Sequence, residues 1–383
     1  MNMKRIMYHI LLLLLTLSIG FIMCESCLRF YYYQKSKNKY CVHAPDQRRI
    51  FKPDPGVLPG VEGLSRFNTN SMGIRGDEFS DSQQYRILAL GGSTTECLYL
   101  DETEAWPYLL QQKLNSLHMS NVWVGSIAAS GKNTRDHILH MKYMIPQYPN
   151  IDMIIILPGV NDLIQRLGKG TDYNAAFMFG PDYDQEQMIK GFSVSPFRKK
   201  KLALWRLARK IKHLYLSRAF IQDEVANFYI VKRERRKQGL NILTNAPDLT
   251  KALEEYDSNI NVIIDISKQY SIRPIFLTQP FLWRADLSKS DKDLCWLGWV
   301  DKSYAEYYSL EVLASCLELY NNRLIDVCKS RGVEYVDLEA YLPKDTTVFY
   351  DDVHFNENGA SMVADIIFKK LRKKEPFVQQ TEK

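Results

Sequence analysis

Arg86-Ile87-Leu88-Ala89-Leu90-Gly91-Gly92-Ser93-Thr94-Thr95-Glu96 decides the fold. The apolar run after Arg86 is too short for a buried helix and ends at two glycines, so 86–90 reads as a strand covered on both faces. The same pattern recurs along the chain. Strands are expected at 122–128, at 152–157 (Asp152-Met153-Ile154-Ile155-Ile156-Leu157, closed by Pro158-Gly159), at 274–278 and at 333–338. Between them, helical spacing of apolar residues predicts helices at 106–117, 135–144, 249–269, 310–329 and 358–371. Short apolar strands alternating with longer helices predict a five-stranded parallel sheet with right-handed crossovers, the three-layer α/β/α class. Chemistry in such sheets gathers beyond the carboxyl ends of the strands.

Two stretches interrupt the alternation. Residues 164–248 follow the third strand and far exceed an ordinary connection. Residues 280–308 follow the fourth and are rich in aromatics, among them Phe281, Trp283, Trp296, Trp299, Tyr304, Tyr307 and Tyr308. Both leave from strand carboxyl ends, so both are expected to overhang the site. No internal repeat is present.

With 383 residues, 46% of them hydrophobic and 25% charged, the chain falls outside the disordered, collagenous and coiled-coil classes. Its seven cysteines lack zinc-ribbon spacing and do not read as a disulfide scaffold. The net charge of +6 is local: 197–213 holds eight Lys/Arg and no acid, and the remainder sums to −2. The total therefore implies no general affinity for polyanions.

Lys4 and Arg5 precede an apolar run at 6–23, which reads as a membrane anchor. The alternative is a cleaved signal peptide, for which Ser18 and Gly20 form a small-x-small site. Arg29, Lys35, Lys37 and Lys39 come after the run, and a count of Lys and Arg on its two sides puts its C-terminal side in the cytoplasm.

Four features each follow a separate expected strand. Ser93 opens a turn after two glycines, where Ser93 and Glu96 also satisfy a helix capping box. Gly131 lies in Ala128-Ala129-Ser130-Gly131, where a simple turn glycine suffices. Asn161 lies in Gly159-Val160-Asn161-Asp162, where an Asn commonly caps a turn or helix. Asp351 stands three residues before His354, close enough to bond Nδ1–H and leave Nε2 free as a base, although a surface Asp/His pair reads the same. Metal binding at His354 needs further ligands, and the other histidines lack ligand spacing.

In combination and order, these features resemble the SGNH hydrolases, the GDSL esterase/lipase superfamily, over 67–371. Gly92-Ser93-Thr94, Gly131, Gly159-Val160-Asn161-Asp162 and Asp351-Asp352-Val353-His354 correspond to its four blocks. Asn68-Thr69-Asn70-Ser71-Met72-Gly73-Ile74-Arg75-Gly76, Thr278-Gln279-Pro280 and Leu342-Pro343-Lys344-Asp345 are similar to its membrane-anchored bacterial branch. Gly92 departs from the aspartate of the founding motif, and Ser126 from a frequent asparagine.

The resemblance implies a flavodoxin-like SGNH fold and a serine esterase with no metal or organic cofactor. It implies Ser93 as nucleophile, His354 as base and Asp351 as its orienting carboxylate, with Asp352 a rival. The oxyanion hole would be Ser93, Gly131 and Asn161. Implied substrates are small-molecule or glycan esters, O-acetyl groups included. An O-acyltransferase on the same residues and a non-catalytic membrane-tethered binding protein are the alternatives. Anchored members work outside the cytoplasm, against the charge count.

The expected organisation is a membrane segment at 1–30, a linker at 31–66, a hydrolase domain at 67–375 and a tail at 376–383. Within the 164–248 insertion, expected as a lid or membrane-facing element, 199–216 reads as a basic amphipathic helix. There Leu204, Leu207, Ala208, Ile211 and Leu214 alternate with Arg206, Arg209, Lys210 and Lys212. A solvated face and a contact with anionic membrane are both open for it. Nucleic acid is not an expected partner, since Trp205 is a lone aromatic without an accompanying motif. Cys97 reads as a packed core thiol.

Overall fold

The apolar periodicity is realised as alternating strands and helices. The computed structural model describes residues 3–36, 40–117, 121–148, 150–170, 173, 202–205, 207–208, 221–222, 225–300 and 303–378. The chain opens with helix α1 (Met3–Ser36), followed by strands β1 (Arg48–Phe51), β2 (Ser65–Asn68) and β3 (Tyr85–Gly91). Helices α2 (Ser93–Glu96) and α3 (Trp106–Asn115), strand β4 (Val122–Ser126) and helix α4 (Thr134–Tyr143) come next. After them stand β5 (Met153–Leu157), α5 (Val160–Lys169), β6 (Ile221–Gln222), α6 (Val225–Lys237), β7 (Asn241–Leu243) and α7 (Thr250–Gln269). The chain ends with β8 (Arg273–Leu277), β9 (Glu306–Tyr308), α8 (Leu310–Arg331), β10 (Glu334–Val336) and α9 (Glu357–Leu371).

Two compact units result. The main unit comprises Cys41–Asp184 and Ile221–Lys383, and the other Met1–Tyr40 with Gln185–Phe220. In the main unit, β10-β8-β5-β3-β4 form a five-stranded sheet whose pairings are all parallel. Every residue of β4 and β5 is buried, as their apolar runs require. Helix α3 packs with α9, while α4, α5, α7 and α8 pack among themselves, giving the three layers. Counting these five strands along the chain, the order is 2-1-3-4-5, and the switch point falls between β3 and β5. Gly91 pairs with Leu157 and Ala89 with Ser126, so the carboxyl ends of β3, β4 and β5 emerge side by side.

Residues 41–66, which fall in the expected linker, belong to the main unit. There β1 pairs antiparallel with β2 and parallel with β6. These four-residue strands carry Arg48, Arg49 and Arg66 and no apolar run, so periodicity passes them by. The first residues of the insertion at 164–248 continue α5, and its later part includes α6, which packs into the main unit. Val225, Tyr229 and Arg233 of α6 are buried. The Arg233 guanidinium donates to the carbonyls of Val57 at 2.6 Å, Leu294 at 3.1 Å and Tyr350 at 3.1 Å. A charged side chain that finds three carbonyl partners is stable in the interior, which a polarity pattern does not reveal. Arg206, Arg209, Lys210 and Lys212 of the expected basic helix lie outside the described residues.

In the other unit, α1 extends well past the apolar run. Its segment Met3–Tyr31 has 29 residues, and the most apolar 18-residue stretch within it has a mean hydropathy of 2.3 and is not buried. By length and composition it is sufficient to cross a bilayer. Near its end, Glu25 accepts from Arg29 Nε at 2.7 Å and from the backbone N–H groups of Ala203 at 2.8 Å and Leu204 at 3.0 Å.

Arg233→Met is expected to lower the urea-unfolding free energy by about 3–5 kcal/mol, because three carbonyls lose a charged donor in the interior. A shift in the urea midpoint with unchanged m-value is the measurement.

Candidate functional site

Ser93 is the first residue of α2, directly beyond β3. The expected capping box does not form. The N-cap is Gly92, which makes no side-chain cap bond, and the Ser93 hydroxyl is engaged elsewhere: Oγ lies 2.7 Å from Nε2 of His354. The Glu96 carboxylate instead accepts from the N–H of Ser130 at 2.7 Å and from its hydroxyl. Glu96 thereby ties α2 to the turn after β4 that carries Gly131.

His354 follows β10 and is buried. Its Nδ1 lies 2.8 and 2.7 Å from the two carboxylate oxygens of Asp351, which has no exposed surface. Asp351 also accepts from the N–H groups of Val353 at 3.0 Å and His354 at 2.9 Å, and from the indole N–H of Trp296 at 3.0 Å. The rival Asp352 points away from the imidazole. It accepts from Trp283 Nε1 at 2.7 Å and from the backbone N–H of Trp296 at 2.7 Å.

Asn161 stands in the first turn of α5, beyond β5. Its amide donates to the Lys132 carbonyl at 2.8 Å, leaving a second N–H for a ligand. A Cβ on Gly92 would lie 2.1 Å from Asn161 Nδ2, so the amide sits directly against the residue before Ser93. This close approach gives the glycine at 92 a physical reason: a side chain there displaces Asn161. Gly131 has φ +76, a left-handed conformation that suits glycine, and a Cβ there would meet nothing within 4 Å. Thr134 bonded to Asp162 and Asn133 bonded to Gln165 at 2.7 Å add further ties between this turn and α5. Ser93, His354, Asp351, Gly131 and Asn161 thus meet at the sheet's switch point, each supplied by a different strand end except the His–Asp pair.

The charges are set by burial and neighbours. Burial opposes a charge on His354, but the adjacent Asp351 outweighs it by charge and hydrogen bond, with smaller contributions from Asp352 and Glu96, and the imidazole pKa is raised. Burial likewise works against the Asp351 carboxylate, but His354 and the Trp296 indole prevail and its pKa is lowered. Asp352 is pushed up to about 6 by burial and then by the charge of Asp351. Cys97 is raised to about 11, chiefly by burial, which fits a packed thiol rather than a nucleophile. Among the described residues, no cluster of three or more His, Cys, Asp or Glu side chains suits a metal ion.

A cavity of about 510 Å³ opens over Ser93 and His354, lined mainly by apolar and aromatic side chains. Its wall includes Trp296 from the aromatic insertion, which therefore does reach the site as expected, and Phe228 and Tyr229 of α6. Sequence reasoning placed Trp296 over the site but missed its bond to Asp351, the tie made by Glu96 and the donors around Asp352. The signal for Trp296 was its indole N–H, a donor that needs a partner once its ring is buried.

No family model matches the chain, and no curated protein matches it. Among solved structures, the chain is similar to Axe2, an acetylxylan esterase from Geobacillus stearothermophilus. Identity is 14% and TM-score 0.40, over 75% of this chain and 94% of that one. It is similar to LAE5, an α/β hydrolase enzyme from the metagenome of Lake Arreo, Spain, at 12% identity and TM-score 0.39, over 75% and 94%. A member of the lipolytic protein G-D-S-L family from Veillonella parvula is similar at 11% identity and TM-score 0.40, over 76% and 100%.

The imidazole of His354 is expected to titrate above the ordinary histidine value of about 6.5 by ¹⁵N NMR. In Asp351→Asn the midpoint falls, because the main influence favouring the cation is gone while burial remains. An unchanged midpoint in that variant would contradict the assigned cause.

Proposed function

We propose that the main unit hydrolyses carboxylic esters through an acyl-enzyme. The observation that carries this reading is the single hydrogen-bonded line from Ser93 Oγ to His354 Nε2, 2.7 Å, and from Nδ1 to Asp351, 2.7–2.8 Å. In this mechanism His354 takes the Ser93 proton as Oγ bonds to the ester carbon. Asp351 holds the imidazole in the Nδ1–H tautomer and stabilises its cation. The negative oxygen of the tetrahedral intermediate faces the backbone N–H groups of Ser93 and Gly131 and the remaining Asn161 N–H. Collapse breaks the bond to the alcohol, which leaves with the proton from Nε2. Water, deprotonated by the same nitrogen, then releases the acid and restores Ser93.

We further propose that α1 anchors the protein in a membrane with the main unit outside the cytoplasm. Its length and mean hydropathy support the anchor, and the resemblance to anchored esterases supports the side. Protease added to intact cells is expected to digest the main unit, and its protection there would reverse the orientation.

Ser93→Ala and His354→Ala are each expected to abolish turnover of a p-nitrophenyl ester to a similar extent, since such residues act as a unit. Asp351→Asn is expected to cost about 10⁴ in kcat, and Asn161→Ala roughly 10²–10³ with a smaller change in KM. Parent-rate turnover by folded Ser93→Ala would end the mechanism.

The pH dependence has a definite sign. The base form of His354 is neutral and its pKa is raised, so kcat/KM is expected to climb with pH to a midpoint above about 6.5. A midpoint below that value, measured with a substrate that does not itself titrate, contradicts the geometry.

A further inference from the structure

The cavity over Ser93 is not symmetric. On the His354 side its wall is a continuous set of aromatic rings. Tyr350 stacks on the His354 imidazole, with centroids 5.5 Å apart and 7° between the planes. Tyr229 meets Tyr350 edge to face at 5.8 Å, and Trp296 meets Tyr229 in the same way at 6.2 Å. Phe228 lies against Trp296 at 5.8 Å, and Trp299 stacks on Trp296 at 5.9 Å. All of these line the cavity. The Asn161 side offers Val160, Ile164 and the polar Gln165, and only the last ring of the set, Trp299, reaches it, against Gly168 of α5.

The wall offers few free polar atoms: the Trp299 indole N–H and the hydroxyl of Tyr99, which meets Tyr229 edge to face at 5.8 Å, are the unpaired donors among the described rings lining the cavity. The Trp296 indole N–H is spent on Asp351 at 3.0 Å. The Tyr229 and Tyr350 hydroxyls are paired with each other at 3.4 Å. A polyhydroxylated ligand loses its water hydrogen bonds against such a surface and regains few, whereas an apolar group loses none.

Direction follows from the chemistry. An ester carbon attacked by Ser93 turns its oxyanion toward Gly131 and Asn161. It turns its leaving oxygen toward His354, which must deliver the proton. The group attached to that oxygen therefore lies along the aromatic wall. We propose that this wall is an alcohol-binding subsite, and that the substrate is an ester of a large apolar alcohol. The inference rests on the ester-hydrolase reading and narrows it, placing the selectivity in the alcohol and not in the acyl chain. The wall has further contacts of its own. The backbone N–H of Trp296 donates to Asp352 at 2.7 Å, and the Lys232 ammonium stands 4.9–5.9 Å from the centroids of Phe228, Trp296, Trp299 and Tyr304. The subsite is thus formed before a ligand arrives.

The test uses the full-length protein and two ester series. One fixes the acyl group as acetyl and lengthens the alcohol from methyl to hexyl; the other fixes methanol and lengthens the acid from acetyl to hexanoyl. A methyl O-acetylglucoside is measured beside them. Expected is a rise in kcat/KM of about fourfold per methylene along the alcohol series, the effect of removing one methylene from water. The acyl series stays within about threefold, and the acetylated sugar falls below hexyl acetate. Phe228→Ala, a substitution at a partly exposed position, lowers the hexyl-to-methyl ratio about tenfold. A rise along the acyl series with a flat alcohol series overturns the inference, as does preference for the acetylated sugar. A fluorophosphonate probe separates the two levels. Labelling of Ser93 with a flat alcohol series overturns the subsite alone, whereas no labelling and no turnover of any ester overturns the hydrolase reading with it.

Discussion

Two consecutive carboxylates, Asp351 and Asp352, are buried with no exposed surface, and much of the main unit is arranged around that fact. Burying one carboxylate is expensive unless donors surround it, and burying two side by side adds their repulsion. The chain answers with separate donor sets. Asp351 takes its imidazole, two backbone N–H groups and the Trp296 indole. Asp352 takes the Trp283 indole and the backbone at Trp296 and Leu297. The consequence is a divergence in acidity, one carboxyl lowered and the other raised to about 6. Neighbouring groups pushed apart in this way are the pattern by which one site holds carboxyls in different roles. It follows that the aromatic insertion is more than a cover. Trp296 donates through its backbone to one carboxylate and through its indole to the other, and with the same ring it lines the cavity.

The sheet was legible because parallel strands buried on both faces are written as apolar runs. Met153–Leu157 admits hardly any other reading; Asp152 before it still bonds Arg86 and Arg273 through its backbone at 2.9 Å, while its carboxylate accepts from the Arg86 N–H at 2.7 Å. The residues that the fold brings together were legible because each follows an expected strand, although each alone also had a plain turn, cap or surface reading and only their combination set them apart. What escaped was stabilised by partners distant in sequence. The strand Arg48–Phe51 is only four residues long and half charged, too short a pattern to read, and pairing with β2 holds it. Arg233 is buried because carbonyls from residues 57, 294 and 350 converge on it. Local sequence holds no trace of that convergence. The capping box failed for the opposite reason: its local signal was sound, but His354 outcompeted the N3 amide for the Ser93 hydroxyl and Ser130 outcompeted the N-cap for Glu96.

Motif segments outside the five site residues find their role in the turn that presents Ser93. Arg75, from the segment Asn68–Gly76, is buried, and its guanidinium donates to the carbonyls of Glu96, Cys97 at 2.8 Å and Leu100 at 2.9 Å. These carbonyls leave the end of α2, where Cys97 adopts φ 48, a left-handed conformation costly for a residue with a Cβ. The guanidinium compensates that cost by satisfying the carbonyls that the sharp exit exposes. From the other side, Gln279 of Thr278-Gln279-Pro280 accepts from the Thr94 hydroxyl at 3.2 Å, and its own backbone is fixed by Asn321 at 2.8 and 3.0 Å. The turn is therefore clamped by residues from two distant segments and by Glu96 against the Gly131 turn. With Asn161 held against Gly92, Ser93, Gly131 and Asn161 share one rigid frame. A group that must meet an oxyanion within a few tenths of an ångström gains from such a frame, because reorganisation at the moment of reaction is what a preformed site avoids. Through these bonds Asn68–Gly76 and Thr278-Gln279-Pro280, far from Ser93 in sequence, hold the turn that carries it.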